Sequence, residues 1–396
     1  MKILHVVTTP ISLNFVRGHL DDLRRRGCEI HVAAAPEPEL FRFAEEIGAT
    51  AHGVPLRRKI TPLLDLWCIG VLAWTLRRVR PAIVHAHTPK AGLIAMIASW
   101  IARTPVRLYH IHGLPAQTAR GVTRVLLNAS ERVACRLANR VYCVSPSLRR
   151  LVEATGICNA AKLHVLGNGS IGGVDATATF NPSRFSRQYR ESLRTQLKIP
   201  FEVAVVGFVG RVVRDKGIIE LLEAFDALRA RHNRLRLLIV GPDERNSGLP
   251  PEILNRLRCD EEIIRVDYTR DPAPYFACMN VLAFPSHREG FGLAAIEAAA
   301  METPVVATRI VGCVDSVEDG VTGQLIAPGD AAELCSALDR YLSEPELRRV
   351  HGKAGRARAL AQFSPKVLWA ALWAEYCDLT GDRRRMTSVR SGSAAA

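Results

Sequence analysis

Residues 203–217, "VAVVGFVGRVVRDKG", combine an apolar run with a glycine-bounded basic turn. The uninterrupted apolar run predicts a strand buried on both faces, as in a parallel sheet. We expect this strand to end at Gly210 and a helix to begin near Gly217, which places Arg211 and Lys216 in the turn between them. Fixed cations beside backbone N–H groups and a helix N-terminus suit a diphosphate. Two solvated loop cations are the alternative, and the P-loop pattern GxxxxGK[ST] is absent from this turn.

Short apolar runs alternate with longer helical patterns along most of the chain. This alternation is typical of doubly wound α/β sheets. In the first half the strand candidates are 3–8, 29–35, 82–88, 106–112 and 140–145, and the helical patterns cover 13–26, 62–79, 90–102 and 121–138. In the second half the strand candidates are 203–210, 235–241, 262–268, 281–286 and 304–308, and the helical patterns cover 217–231, 272–279, 292–301, 330–342, 345–361 and 365–379.

A stretch rich in Gly, Ser, Thr and Asn separates the two series of strands and predicts an interdomain linker over 171–200. We therefore expect an α/β protein with two doubly wound, Rossmann-like domains, 1–170 and 201–362, that face a central cleft. Because ligands bind at the carboxyl ends of such strands, each domain is expected to bind one substrate. A helix over 363–380 is expected to pack back toward the N-terminal domain, and the polar tail 381–396 is expected to be disordered.

Residues 287–297, "HREGFGLAAIE", place two carboxylates eight positions apart around a glycine-containing turn. The turn leads from a strand candidate into an apolar helix, so its backbone N–H groups can face an anion. Glu289 precedes the turn and can accept hydrogen bonds from sugar hydroxyls, while Glu297 can hold the paired hydroxyls of a ribose. The alternative for Glu297 is an ordinary exposed helical carboxylate, which its apolar flanks disfavour.

These residues resemble the retaining glycosyltransferases of family four, which have the GT-B fold. The resemblance depends on E-G-F-G-L-x3-E at 289–297 with R-x4-K at 211–216. It extends across nearly the whole chain, through "VHAHTPKAG" (84–92), "HIHGLP" (110–115), "VLGNGSIGGVD" (165–175) and "EDGVTGQLIAPGD" (318–330). The last of these segments are most similar to bacterial enzymes that build surface polysaccharides or lipid-linked glycans from polyprenyl-diphosphate sugars.

The resemblance implies a role for each matching position. Arg211 and Lys216 would neutralise the donor diphosphate, Glu289 would bind the donor sugar, and Glu297 would hold the ribose. The other implied donor-binding residues are Gly210, Gly290, Phe291, Gly292 and Leu293. His112 would contact the transferred sugar, so the expected catalytic residues are His112, Glu289, Arg211 and Lys216. No DxD metal motif follows a strand, so we expect no metal and no other cofactor. Unlike many relatives, the chain has no glycine in its first loop, 8–15.

Three histidines, His85, His87 and His112, are predicted to lie close together in the N-terminal domain. We interpret His85 as a core residue and expect His87, Lys90 and Asn168 to bind the acceptor. A metal site needs a carboxylate or a third ligand at suitable spacing, and none is recognisable beside these histidines. The sequence therefore predicts no metal site.

The chain is strongly basic, with 53 Lys and Arg against 39 Asp and Glu, a formal net charge of +14. This charge favours polyanionic or membrane-surface partners, although a generally Arg-rich composition is an alternative. The helical pattern 62–79 carries two Trp and ends in "LRRVR", which suits a membrane interface, but we favour a helix buried against a sheet. The 10 Cys show no CxxC pair, and the N-terminus has no signal-peptide pattern. We expect a cytoplasmic protein, with peripheral contact to the inner face of the cytoplasmic membrane.

The combined interpretation is a glycosyltransferase that moves a sugar, with retention, from a nucleotide diphosphate donor, preferentially a UDP-sugar. The expected acceptor is a polyprenyl-diphosphate-linked sugar or another saccharide. A nucleotide-sugar epimerase or hydrolase of the same fold is an alternative, and it would turn over the donor without an acceptor. A basic nucleic-acid-binding protein is a second alternative, disfavoured because no recognisable binding module is present. A NAD-dependent dehydrogenase lacks support because no GxGxxG follows the first strand.

Overall fold

A computed structural model describes residues 1–170, 172–244 and 247–382. The described residues form two compact units, Met1–Gly173 together with residues 365–382, and Val174–Ser364. Residues from Val174 to the end of the predicted linker belong to the second unit, where Arg187–Gln196 form a helix. Within the predicted tail 381–396, residues 383–396 lie outside the described residues.

The first unit contains a parallel sheet of seven strands in the order β3-β2-β1-β4-β5-β6-β7. The strands are β1 Lys2–Val6, β2 Glu29–Ala34, β3 Thr50–Gly53, β4 Ile83–His87, β5 Val106–Ile111, β6 Arg140–Cys143 and β7 Leu163–His164. The sequence predicted five of them and missed the two edge strands, β3 and β7. Both are short, and β3 carries only half-buried or exposed residues, so neither has a strong apolar run.

Seven helices of this unit flank its sheet, and the last one comes from the far end of the chain. They are α1 Arg17–Arg25, α2 Pro38–Ile47, α3 Pro62–Val79, α4 Pro89–Ile101, α5 Gly121–Leu137, α6 Pro146–Ala154 and α15 Pro365–Thr380. The helix predicted over 13–26 begins later, because Pro10–Phe15 form a 3-10 helix before α1. On α15, Leu372, Trp373 and Tyr376 are buried in the same core as Leu20 of α1.

The second unit contains a parallel sheet of six strands in the order β10-β9-β8-β11-β12-β13. The strands are β8 Ala204–Val209, β9 Leu235–Val240, β10 Ile263–Val266, β11 Val281–Phe284, β12 Val305–Thr308 and β13 Gly323–Ile326. The helices are α7 Arg187–Gln196, α8 Ile218–Arg229, α9 Pro251–Cys259, α10 Ala273–Phe276, α11 Leu293–Ala300, α12 Cys313–Ser316, α13 Ala331–Ser343 and α14 Pro345–Gln362.

In each sheet the chain first adds strands on one side of the first strand and then adds the remaining strands on its other side. In the second unit the chain passes from β8 to β9 on one side and later returns to β11 on the other side of β8. In the first unit the same reversal lies between β1 and β4. The loops that leave two such strands diverge and open a crevice at their carboxyl ends, where ligands bind in doubly wound sheets. The predicted donor residues follow β8 and β11.

Among the described residues, no helix combines the length and the apolar character that crossing a bilayer requires. All 10 cysteines are free thiols.

Candidate active site

The loops after β8 and β11 are joined by an ion pair between Lys216 and Glu289. Both side chains are largely buried, with 16% and 11% of their surfaces exposed. Ser286 Oγ donates a hydrogen bond of 2.9 Å to Oε1 of Glu289, and Lys216 Nζ lies 5.5 Å from the centre of the Phe284 ring. The carboxylate and the ammonium predicted to serve the donor are therefore held in one place, although 73 residues separate them in the sequence.

A second set of contacts ties the same two loops together through Asp215. Its carbonyl oxygen accepts a hydrogen bond of 2.8 Å from the His287 amide, and its carboxylate lies 3.0 Å from a guanidinium nitrogen of Arg288. Gly217 has φ +72°, and a Cβ there would lie 2.1 Å from the carbonyl oxygen of Pro285. Only glycine permits this backbone conformation and this approach together.

Arg211 lies at the other end of the basic turn. It forms an ion pair of 2.9 Å with Glu244, and 49% of its side chain is exposed. The preceding Gly210 has φ +155°. A Cβ on Gly241 would lie 2.0 Å from the carbonyl oxygen of Gly210. Arg211 and Lys216 thus have different carboxylate partners, and Arg211 is the more exposed of the two cations.

The turn after Glu289 leads into the N-terminus of α11. Gly292 caps the helix with φ +78°, and the first N–H groups of a helix have no partner within it. Gly312 approaches this turn so closely that a Cβ there would lie 2.7 Å from the carbonyl carbon of Gly290. Phe291 is buried and its ring packs edge-on against Phe363, with centroids 5.4 Å apart. The turn can therefore offer an anion its backbone amides, with Leu293 as the first residue of the helix.

Glu297 lies in α11 and is partly exposed. Burial of the carboxyl, and secondarily the Asp271 carboxylate, raise its pKa to about 7. Within the described part of the chain no hydrogen bond to this carboxyl occurs, in contrast to Glu289. A carboxyl in this position has acceptor atoms ready for two hydroxyl groups, as the ribose assignment requires.

The histidines of the first unit form a larger cluster than the sequence predicted. His85, His87 and His112 are joined by His5 of β1, His19 of α1 and His110 of β5. The prediction that no carboxylate or third ligand lies at a suitable spacing beside these histidines is therefore wrong. One ring nitrogen from each of His5, His85 and His87 lies within 4.8 Å of the others, and the same holds for His87, His110 and His112.

Strand register explains why the cluster forms. His5 pairs with His85, and His87 pairs with His110, so all these side chains project from one face of β1, β4 and β5. Alternate positions of a strand share a face, so the sequence carried this signal. To predict the cluster from this alternation, one must also know that β1, β4 and β5 are neighbours, and this order was not predicted from the sequence.

The predicted acceptor residues do not gather in one place. His87 is only 2% exposed, and its two ring nitrogens lie 3.0 Å from His5 and 3.3 Å from His112. Lys90 lies 2.7 Å from the Asp65 carboxylate and 3.0 Å from the Thr61 hydroxyl, at the start of α3. Asn168 is exposed and follows the edge strand β7, two strands away from β5. Of the site residues predicted in this unit, only His112 combines partial exposure with a position directly after a central strand.

Comparison with known proteins identifies the family. The family model "Glycosyltransferase Family 4" matches residues 14–170, and "Glycosyl transferases group 1" matches residues 203–344. The capsular polysaccharide biosynthesis glycosyltransferase CapM of Staphylococcus aureus is 31% identical over 376 residues, which cover 95% of this chain and 96% of CapM. The chain belongs to glycosyltransferase family four. The predicted family and enzyme class are confirmed.

The chain is also similar to other curated proteins and to solved structures. The D-inositol 3-phosphate glycosyltransferase of Corynebacterium kroppenstedtii is 28% identical over 80% of this chain and 70% of its own length. The crystal structure of HepE from Anabaena, in complex with UDP and glucose, has a TM-score of 0.78 at 20% identity and covers 96% of this chain and 100% of HepE. At this identity the likeness concerns the fold, and it confirms the predicted GT-B class.

Proposed function

We propose that this family four enzyme transfers a sugar from a UDP-sugar to a polyprenyl-diphosphate-linked saccharide during synthesis of a surface polysaccharide. The observation that carries the proposal is the joined pair of loops at the strand reversal of the second unit, with Lys216, Glu289 and the N-terminus of α11. HepE was crystallised with UDP and with UDP-glucose, and CapM is named for capsular polysaccharide biosynthesis. These likenesses support the donor class and the type of product.

The main catalytic task of the donor site is to stabilise the leaving diphosphate. Lys216, Arg211 and the first amides of α11 supply positive charge and N–H donors where negative charge develops. The cations and amides at the turn can bind an anion directly, although Arg211 and Lys216 are paired with Glu244 and Glu289 in the unliganded protein. We therefore propose that the transfer needs no metal ion. Activity that survives chelation by EDTA would support this, whereas loss of activity that Mg²⁺ or Mn²⁺ restores would contradict it.

Retention of the anomeric configuration is also part of the proposal. Glu289 contacts Lys216 and accepts a hydrogen bond from Ser286 through Oε1, and we propose that this fixed carboxylate binds the donor sugar instead of attacking it. The acceptor hydroxyl would then attack from the face that the diphosphate leaves, through an ion-pair-like transition state. The anomeric configuration of the product, determined by NMR, tests this step.

The acceptor is proposed to reach the enzyme at a membrane surface. Helix α3 is buried on one side only: Leu63 is 85% exposed and Trp67 65% exposed. Helices α4 and α5, which pack beside α3 in succession, expose further apolar side chains, including Trp100 and Val125. The expectation that 62–79 is simply buried against the sheet is therefore corrected. We define these exposed side chains of α3, α4 and α5 as the apolar surface.

Basic residues flank the apolar surface. Arg57 and Arg58 precede α3 and are exposed, and near its end the Arg78 guanidinium lies 4.1 Å from the centre of the Trp74 ring. Apolar and aromatic side chains bordered by arginines fit the interface of an anionic bilayer. The net charge of +14 adds to this attraction. Peripheral binding would place the enzyme beside a lipid-linked acceptor.

The decisive experiment incubates the purified protein with UDP-sugars and short polyprenyl-diphosphate-linked acceptors. The expected result is a longer lipid-linked saccharide with stoichiometric release of UDP. Release of UDP, or epimerisation of the donor sugar, at the same rate without an acceptor would favour the hydrolase or epimerase alternative. Binding of nucleic acid at physiological salt, without transfer to any acceptor, would favour the nucleic-acid-binding alternative.

A further inference from the structure

Three imidazoles of the first unit form a hydrogen-bonded row. His5 Nδ1 lies 3.0 Å from His87 Nε2, and His87 Nδ1 lies 3.3 Å from His112 Nε2. The row starts inside the sheet on β1, passes through the end of β4, and reaches the residue that follows β5. His112 Nδ1 is the ring nitrogen at the outer end of the row, and it makes no hydrogen bond within the described part of the chain.

The protons in this row depend on one another. A neutral imidazole carries one N–H and one lone pair, so each of the two contacts needs a donor on one side and an acceptor on the other. Only two arrangements satisfy both contacts, one with all N–H bonds directed toward His112 and one with all directed toward His5. The tautomer of His112 is therefore linked to the tautomers of His87 and His5.

The row is closed at its inner end. His5 Nε2 is buried and has no hydrogen-bond partner among the described residues. A proton that entered at His112 would thus have no group to which the row could deliver it. The row therefore cannot work as a proton channel, although it can fix where the proton of each ring lies.

The surroundings favour neutral rings. His87 and His110 are the imidazoles beside His112, and the Phe15 ring is the third aromatic neighbour, at 6.4 Å between centroids. No carboxylate in the described parts of the chain contributes to the protonation of His112, and burial lowers its pKa to about 4. Burial lowers the pKa of His5 and of His87 well below its usual range, and neighbouring imidazoles add to this. Within residues 1–170, 172–244 and 247–382, no acidic group influences the pKa of His5, His87 or His112, so a positive charge in the row would lack a counter-charge there.

We propose that His87 and His5 are positioning residues that hold His112 in a single neutral tautomer, the one with its proton on Nδ1, because the opposite arrangement would leave an N–H at the buried His5 Nε2 without a partner among the described residues. His112 then serves sugar transfer by hydrogen bonding through Nδ1, and it does not accept a proton from the acceptor hydroxyl. The role in sugar transfer depends on the proposed function. The fixed tautomer is a property of the unliganded protein and can be measured without any substrate.

Two substitutions of His87 separate its two contacts. Asparagine places an amide nitrogen near the position of Nδ1, so His87→Asn keeps a partner for His112 and loses the one for His5. Glutamine reaches the position of Nε2, so His87→Gln keeps a partner for His5 and releases His112. The matched control is His52→Gln, because His52 Nε2 lies 3.0 Å from His31 Nδ1 in a histidine pair on β2 and β3, which is not part of the row.

The tautomers are measured by ¹⁵N NMR of the full-length protein labelled at histidine nitrogens, since protonated and unprotonated ring nitrogens differ widely in shift. We expect one tautomer for His112 in the wild type and in His52→Gln, and a mixture of tautomers in His87→Gln. A mixture in the wild type, or an unchanged His112 in folded His87→Gln, would refute the proposal. A stoichiometric transition metal on the purified protein, bound through these histidines, would also refute it.

Kinetics supply a second readout. His87→Gln should lower kcat roughly ten-fold with little change in the donor KM, His87→Asn should lose less, and His52→Gln should match the wild type. If His87→Gln fails to fold, His5→Gln gives the same tautomer test from the inner end of the row, because glutamine leaves no nitrogen at the Nδ1 position that contacts His87. A fixed tautomer in a protein without transferase activity would contradict the proposed function alone, whereas an active enzyme with a mixed His112 tautomer would contradict the positioning role alone.

Discussion

Lys216 and Glu289 form an ion pair that joins the loops leaving two adjacent strands of the second sheet. Both groups are expected to contact the donor, and they already contact each other before the donor binds. A partly buried pair of this kind is sensitive to the loss of one partner, because the other charge is left uncompensated. The unliganded site is thus already organised for a charged ligand.

Lys216→Ala should lower kcat/KM by about ten- to a hundred-fold, and Arg211→Ala by at least as much, because charge on the diphosphate grows in the transition state. The double variant should lose less than the product of the two effects, since both cations contact one group. Arg309→Ala is the control, because Arg309 is 55% exposed and forms a comparable ion pair of 2.6 Å with Asp319. Initial rates with a UDP-sugar test this, and near-normal turnover by the double variant would remove both residues from the site.

Glu297 should make donor binding depend on pH. Its raised pKa of about 7 means that the carboxyl is largely protonated below that pH, and only the carboxylate accepts hydrogen bonds from both ribose hydroxyls with full strength. UDP affinity should therefore increase as pH rises from 6 to 8. Glu297→Gln should bind more weakly and lose this increase. Calorimetric titration with UDP measures both effects, and an equal pH dependence in wild type and variant would exclude Glu297 as its source.

Gly217→Ala should disrupt the junction of the two donor loops. The new methyl group would clash with the Pro285 carbonyl, and φ +72° would be strained for alanine. Gly320 has φ +73° with open space around it, so Gly320→Ala isolates the backbone strain. We expect Gly320→Ala to cost about 1 kcal/mol of unfolding free energy and Gly217→Ala about 1–3 kcal/mol more, with reduced UDP affinity. Equal losses in both variants would contradict the close approach.

Glu131 should make the stability of the first unit depend on pH. Its carboxyl is buried on α5 and accepts a hydrogen bond of 2.8 Å from the Tyr109 hydroxyl, and burial raises its pKa to about 7. In the unfolded chain Glu131 ionises near pH 4.5. The stability that its protonated form contributes is therefore complete below that value and is lost as pH rises through 7. Relative to Glu131→Gln, the unfolding free energy of the wild type should fall by on the order of 3 kcal/mol between pH 4.5 and 8. Urea unfolding at several pH values tests this, and parallel curves would contradict it.

The apolar surface should bind anionic membranes. Replacing Leu66 and Trp67 of α3 by Ser should reduce flotation with vesicles that contain anionic lipid, because both side chains are exposed. Val350→Ser, at an exposed apolar position of α14 in the second unit, is the control. Binding should weaken as salt increases. Wild-type protein that stays unbound at low salt would contradict the proposed surface.

The sequence predicted the central strands of both sheets and the donor motifs because these features are local. The run at 203–210 is apolar throughout, and 289–297 carries its own turn and helix start, so neither depends on distant contacts. The pairing of Lys216 with Glu289 was not predicted, since it requires β8 and β11 to be neighbours. His5 was missed for the same reason: a single histidine in an apolar strand gives no signal until its neighbouring strands are known. The ion pair between Lys90 and Asp65 was not predicted either, because it depends on how α3 packs beside α4.

The position of α15 has a consequence for biosynthesis. The core of the first unit includes Leu372, Trp373 and Tyr376, which are translated nearly 200 residues after the first segment of this unit ends at Gly173. While the ribosome makes the second unit, the first therefore lacks a helix that covers α1 and part of its sheet. The nascent chain would expose apolar surface throughout this interval, and a truncated transcript or premature stop before α15 would leave that surface permanently open. The first unit can therefore complete its hydrophobic core only after α15 has been translated.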